Sequence, residues 1–240
     1  MSKFGRPKKQ GLYNPGKEHD SCGIGFIANI KNRKSHQVIQ QGLTVLGNLT
    51  HRGAAGADPL AGDGAGILIQ IPDRFLREEC ADLGIKLPEA GAYGVGMIFL
   101  PQDEKARLDC EKAIEKLVSD EGQTVLGWRD LPTDNSWLSD SVRELEPFIR
   151  QIFIEKGKNC DDSNAFEGKL FVIRKQAHRV IKTKNLAGQE AYYIPTMSCR
   201  TTCYKGMMLA DRVGEYYTDL KDERFESALA LVHQRFSTNT

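Results

Sequence analysis

Apolar and polar positions fall in short blocks along this chain, and the blocks change period from one to the next. Residues 1–21 carry no such pattern. Gly5, Pro7, Gly11, Asn14, Pro15 and Gly16 interrupt them too often for a helix or strand, so they read as a flexible leader. Gly23–Ile30 is an apolar run that predicts a buried strand, with a turn at Asn32–Lys34. A helix capped by Ser35 is expected to run to about Leu49, with Val38, Ile39, Leu43, Leu46 and Leu49 on its apolar side. Gly53, Gly56, Gly62, Gly64 and Gly66 then mark a loop, before a strand at Ile67–Ile71 that Pro72 stops. A helix at Arg74–Leu83 and a strand at Tyr93–Leu100, stopped by Pro101, come next. Glu104–Ser119 is an amphipathic helix, with Ala106, Cys110, Ala113, Ile114 and Leu117 at helical spacing.

The second half is expected to hold a strand at Thr124–Trp128, a loop at Pro132–Ser139 and a helix over Val142–Ile154 that Pro147 starts or kinks. Gly157–Gly168 reads as a polar loop insertion, Lys169–Lys175 as a strand and Gln176–Lys182 as a short helix. Tyr192–Met197 is extended, Leu209–Tyr217 helical, and Ala228–Phe236 begins as a buried strand. No segment repeats. Strands and helices interleave without the regular alternation of a doubly wound parallel sheet, which predicts a layered α/β or α+β architecture.

Composition narrows the function classes. The chain has 240 residues, 40% hydrophobic and 27% charged, enough for a large core in one domain or at most two. Lys plus Arg is 33 against 32 Asp plus Glu, a net charge of +1, which argues against a dedicated nucleic-acid binder. No run is long and apolar enough to span a bilayer. Residues 1–21 hold no apolar stretch of the secretory kind, and their basic residues are mixed with Glu18 and Asp20 without an amphipathic period. The expected setting is therefore a reducing cytoplasm, with most of the six cysteines acting as small buried hydrophobes. Cys199 and Cys203 lack a second ligand pair for a zinc site, and strand positions four apart are too distant to form a disulfide.

Three segments could carry chemistry. Cys22 stands at the end of the polar leader and before Gly23. It reads either as a core cysteine opening a strand or, if the chain is cut after Ser21, as a residue carrying both a thiol nucleophile and a free α-amine base. The second segment runs from Leu49-Thr50-His51-Arg52-Gly53 to Gly62-Asp63-Gly64-Ala65-Gly66. Its glycines do not spell GxGxxG, no P-loop lysine follows, and it leads into a strand, so phosphate binding fits poorly. Arg52 or Asp63 orients groups in a site on one reading, and on the other this is an ordinary loop. The third is His233-Gln234-Arg235-Phe236-Ser237-Thr238-Asn239-Thr240, where an arginine able to clamp a carboxylate precedes short hydroxyl and amide side chains; a strand end entering a polar turn is the plainer reading.

Four stretches taken in order, Glu18–Phe26 (EHDSCGIGF), His51–Leu68 (HRGAAGADPLAGDGAGIL), Tyr204–Met207 (YKGM) and His233–Thr240 (HQRFSTNT), make the chain resemble the N-terminal amidotransferase region of the glutamate synthase large subunit, from about Leu12 to Thr240. The resemblance implies a four-layer αββα sandwich of the N-terminal nucleophile hydrolase type, with residues 1–21 removed as a propeptide-like leader and 22–240 a partial domain. It implies that Cys22 hydrolyses L-glutamine to glutamate and ammonia for transfer to 2-oxoglutarate. By the same resemblance Arg235 holds the substrate α-carboxylate, Phe236 and Thr238 line the pocket, and Arg52 stands near the nucleophile. FMN and a 3Fe–4S cluster, the remainder of the large subunit, and a small electron-donating subunit or ferredoxin are implied for the full-length family protein, with no cofactor or metal in this segment. The setting is the cytoplasm, or a plastid in a photosynthetic eukaryote.

The family's Asn-Gly oxyanion segment is not found up to Thr240, so the chain is expected to be a truncated piece with an open sheet edge. Two alternatives accompany that reading: a catalytically inert glutamine-binding or structural fragment, and an N-terminal nucleophile amidotransferase with another acceptor.

Overall fold

The computed structural model describes residues 9–11, 14, 23–53 and 61–235, with Arg52 described by its main chain alone. Among these residues the chain forms two four-stranded antiparallel sheets and their helices, an α+β arrangement. One sheet has the order β1-β8-β2-β7, built from Ile24–Ala28, Leu229–Gln234, Ala61–Gln70 and Thr201–Met208. The other has the order β4-β5-β3-β6, built from Thr124–Asp130, Phe148–Glu155, Tyr93–Leu100 and Tyr193–Ser198. Helices α1 (His36–Asn48), α2 (Asp73–Asp82), α3 (Glu104–Asp120), α4 (Asp140–Arg143), α5 (Ser163–Lys182) and α6 (Val213–Tyr216) connect them.

Two apolar clusters hold these parts together. α3 and α5 cover one face of the second sheet: Cys110, Ile114 and Val118 from α3, and Phe166, Leu170, Ile173, Ala177 and Ile181 from α5, pack on Ile98, Leu100, Ile152 and Ile154. The other cluster joins both sheets to α1 and α2. It contains Ile39 and Leu46 of α1, Phe75 and Leu76 of α2, Ile67 and Ile69 of β2, Tyr204 of β7, and Val95, Met97 and Phe153 of β3 and β5.

Several expectations are corrected. Lys169–Lys175 is not a strand, nor does a long loop reach Gly168. Both lie in or run into α5, whose first turn is capped by the Asp162 carboxylate accepting from the Ala165 N–H at 2.8 Å. The buried positions of α5 recur every three or four residues across twenty, a helical period that a seven-residue window on KLFVIRK misses. Val142–Ile154 is likewise not a helix. α4 makes a single turn, and beyond Pro147 the chain enters β5, which fills the slot between β3 and β4. The glycine-rich stretch expected as a loop to Gly66 is strand from Ala61 on, and β7, unassigned from the sequence, pairs with it. β1 is shorter than the apolar run, and it is an edge strand with Ile24 58% and Phe26 69% exposed, not a buried one.

Candidate active site at the paired ends of β1, β8 and β2

The antiparallel register decides what meets. Ile24 faces His233, and His233 faces Gly66, so the start of β1, the end of β8 and the start of β2 lie at the same end of one sheet. The three segments singled out in the sequence are the three that arrive there. Cys22 itself, Phe236 and Thr238 lie outside the described residues, as does the Arg52 side chain. Their described neighbours are Gly23, Arg235 and the 3-10 turn Thr50–Arg52.

The first junction is between Gly23 and Gln234. The Gln234 N–H donates to the Gly23 carbonyl at 2.6 Å, fastening the residue bonded to Cys22 onto β8. A side chain at position 23 would run into the Gln234 main-chain carbonyl, so only glycine lets the two strands approach this closely. Replacing Gly23 by alanine is expected to open this bond, lowering stability by about 1–3 kcal/mol and, if the adjoining Cys22 is the nucleophile, reducing turnover at least tenfold. Thermal unfolding and steady-state rates together check this.

Gln234 is 3% exposed, its carboxamide fills the space beside Gly53, and its Oε1 is buried with no hydrogen-bond donor in reach among the described residues. A buried acceptor without a described partner singles Gln234 out at this strand end.

The second junction is between Arg235 and the β2 start. Arg235 adopts φ 77°, the left-handed region that a non-glycine residue enters at a cost of about 1–3 kcal/mol. Its N–H donates to the Gly64 carbonyl at 2.6 Å, and its Nε lies 3.7 Å from the Asp63 carboxylate. The strained backbone therefore falls on the arginine that the sequence marks as a carboxylate clamp, with its side chain 57% exposed. Next to it, burial and then the charge of Lys205 hold the His233 imidazole below its usual pKa, favouring the neutral form. Beyond Asp63 a cleft of about 520 Å³ opens, lined mainly by apolar side chains that include Leu145, Met207, Met208 and Tyr216.

The described cysteines lie away from this end of the sheet in sequence, and four of them in reactivity as well. All five described ones are unpaired and buried. Burial pushes Cys80 up to about 12, Cys110 to about 11, Cys199 to about 12 and Cys203 to about 11, so these four thiols stay protonated and unreactive at neutral pH. No group of three or more His, Cys, Asp or Glu among the described residues is placed to hold a metal ion.

Sequence reasoning missed the buried polar network that joins the two sheets. The Arg129 guanidinium of β4 donates two 2.8 Å hydrogen bonds to the Asp219 carboxylate and one of 3.0 Å to Gln151 of β5. The Tyr204 hydroxyl of β7 donates to Asp219 at 3.0 Å and accepts from Gln151 at 3.2 Å. A lone arginine in the strand-forming stretch Thr124–Asp130 was the available signal, since an inward charge there demands a partner.

Comparison with known proteins gives the same neighbourhood a family. The profile of class-II glutamine amidotransferases matches residues 22–240. The chain is 48% identical to the glutamate synthase [NADPH] large chain of Bacillus subtilis (strain 168), over 98% of this chain and 15% of that one. It is 39% identical to the glutamate synthase [NADH] of Saccharomyces cerevisiae, over 98% of this chain and 11% of the yeast protein. With the chloroplastic ferredoxin-dependent glutamate synthase of Oryza sativa subsp. japonica the identity is 37%, over 93% and 14%. The chain thus spans between about a ninth and a seventh of the length of these relatives.

Proposed function

This chain belongs to the class-II glutamine amidotransferases, and from that membership we propose that it releases ammonia from L-glutamine for glutamate synthesis, with Cys22 as nucleophile. Removal of residues 1–21 gives Cys22 a free α-amine, which takes the thiol proton. The sulfur then attacks the γ-amide carbonyl, the proton passes to the leaving nitrogen, and ammonia departs from a thioester. Water attacks the thioester carbonyl, releasing glutamate and restoring the thiol. Arg235 holds the α-carboxylate, Phe236 and Thr238 line the pocket, and Arg52 stands by the nucleophile.

The observation that carries this reading is the convergence of β1, β8 and β2, which sets Gly23 on Gln234 and Arg235 on Gly64. The two sheets and their helices are consistent with a four-layer αββα sandwich. In the relatives' names the electron donor varies between NADPH, NADH and ferredoxin while the similarity to this chain persists, which suits a segment that supplies ammonia and takes no part in electron entry. The acceptor 2-oxoglutarate, FMN and the 3Fe–4S cluster belong, on this reading, to other parts of a longer cytoplasmic protein. No helix among the described residues is long and apolar enough to cross a membrane.

The test is Arg235→Leu. Loss of a charge-assisted carboxylate clamp is expected to raise the glutamine KM about a hundredfold. An unchanged KM removes Arg235 from the site.

A further inference from the structure

We propose that Asp63 is a positioning residue for Arg235, fixing which edge of the guanidinium faces the α-carboxylate of the substrate. The inference rests on Arg235 being the carboxylate binder. Asp63 and Gly64 are adjacent, and between them they hold Arg235 at two points. Gly64 accepts the Arg235 main-chain N–H at 2.6 Å, and the Asp63 Oδ2 stands 3.7 Å from its Nε. The first contact secures a backbone with φ 77°, which determines the direction in which the side chain leaves the strand. The second sets a carboxylate at ion-pair distance from the Nε edge of the fork, and among the described residues no side chain pairs with the two terminal nitrogens. Two parallel N–H donors at that end match a carboxylate.

A solvated arginine explores many rotamers, and holding it in one reduces what is lost when substrate binds. The side chain is 57% exposed against 35% for Asp63, so the cation remains open to a ligand while its anchor is half covered. Asp63 also lines the apolar cleft. A counter-ion that merely competed with the substrate would act in the opposite direction, because removing it would strengthen glutamine binding.

The experiment uses the full polypeptide with Cys22 as its N-terminus. Saturable inactivation by a diazo-ketone analogue of glutamine gives KI and kinact, and alkylation by iodoacetamide reports the thiol without a carboxylate contact. Asp63→Asn is expected to raise KI about three- to fivefold, the range of a partly exposed ion pair, with kinact and iodoacetamide reactivity unchanged. Asp63→Glu should restore KI to within about twofold of the parent. An unchanged or lowered KI overturns the proposal, as does a parallel fall in kinact and iodoacetamide reactivity, which would mean local collapse. Arg235→Leu separates the two levels of inference. If it raises KI and Asp63→Asn does not, only the role of Asp63 fails. If it leaves KI unchanged, the carboxylate-binding role fails with it.

Discussion

Replacing Cys22 by alanine is expected to lower glutamine turnover by about four orders of magnitude or more, with folding unaffected. The size follows from what the residue supplies. On the proposed mechanism the sulfur forms the covalent bond that divides amide hydrolysis into two easier steps. Burial raises Cys80, Cys110, Cys199 and Cys203 out of the reactive range, so none of these four offers a thiolate at neutral pH. The two readouts are steady-state ammonia release and the intact mass of the parent enzyme. The mass should show residues 1–21 gone, because the base is the amine uncovered by that cut. Glutamine turnover that survives the alanine change, or active enzyme that keeps its leader, would falsify the assignment.

Asp219→Ala is expected to destabilise the fold by about 3–5 kcal/mol, because it removes both 2.8 Å partners of the buried Arg129 and leaves its charge with only the Glu79 carboxylate at 3.4 Å as counter-ion. Arg129 and Asp219 are each 4% exposed, and the two 2.8 Å bonds between them compensate for the loss of water. For a domain of this size the change corresponds to a fall in Tm of roughly 10 °C, read by calorimetry or circular dichroism. Adding Arg129→Met to the same variant should recover much of the loss, since a buried pair exchanged for apolar groups is often neutral. If the double variant is as unstable as the single one, the stranded charge is not the cause. Tyr204 shares this network and sits in register with Ile67 of β2, so damage here is expected to reach the site through the β2–β7 ladder.

The sequence was most readable where an element's own pattern was long and its ends were marked. β3 ends at Pro101 as expected, and α3 begins at an Asp103 cap whose carboxylate accepts from the Ala106 N–H. It was least readable where tertiary contacts decide the outcome. Phe148–Glu155 is a strand because β3 and β4 present open hydrogen-bonding edges on either side of it, a fact that lies in other parts of the chain. Ala61–Gly66 is a strand for the same reason. Its glycines gave a turn signal, yet Met208, Gly206 and Lys205 pair opposite Ala61, Ala65 and Gly66, and the irregularity is confined to a register shift before Ala65 and to Gly64 at φ 111°. For the site, residue types along the chain pointed to Arg235 and raised Asp63, whereas Gln234 became visible only through its burial and its unsatisfied oxygen.

One consequence follows from the single ladder that joins β1 to β8. Gly23 and Gln234 share a main-chain hydrogen bond, so on the proposed reading the residue after the nucleophile and the residue before the arginine are tied directly to each other, without reference to how distant parts of the molecule move. Such a tie would act as a ruler for the number of methylenes between an amino acid's carboxylate and its amide, and a homologue shorter by one carbon is then expected to be turned over far more slowly than glutamine.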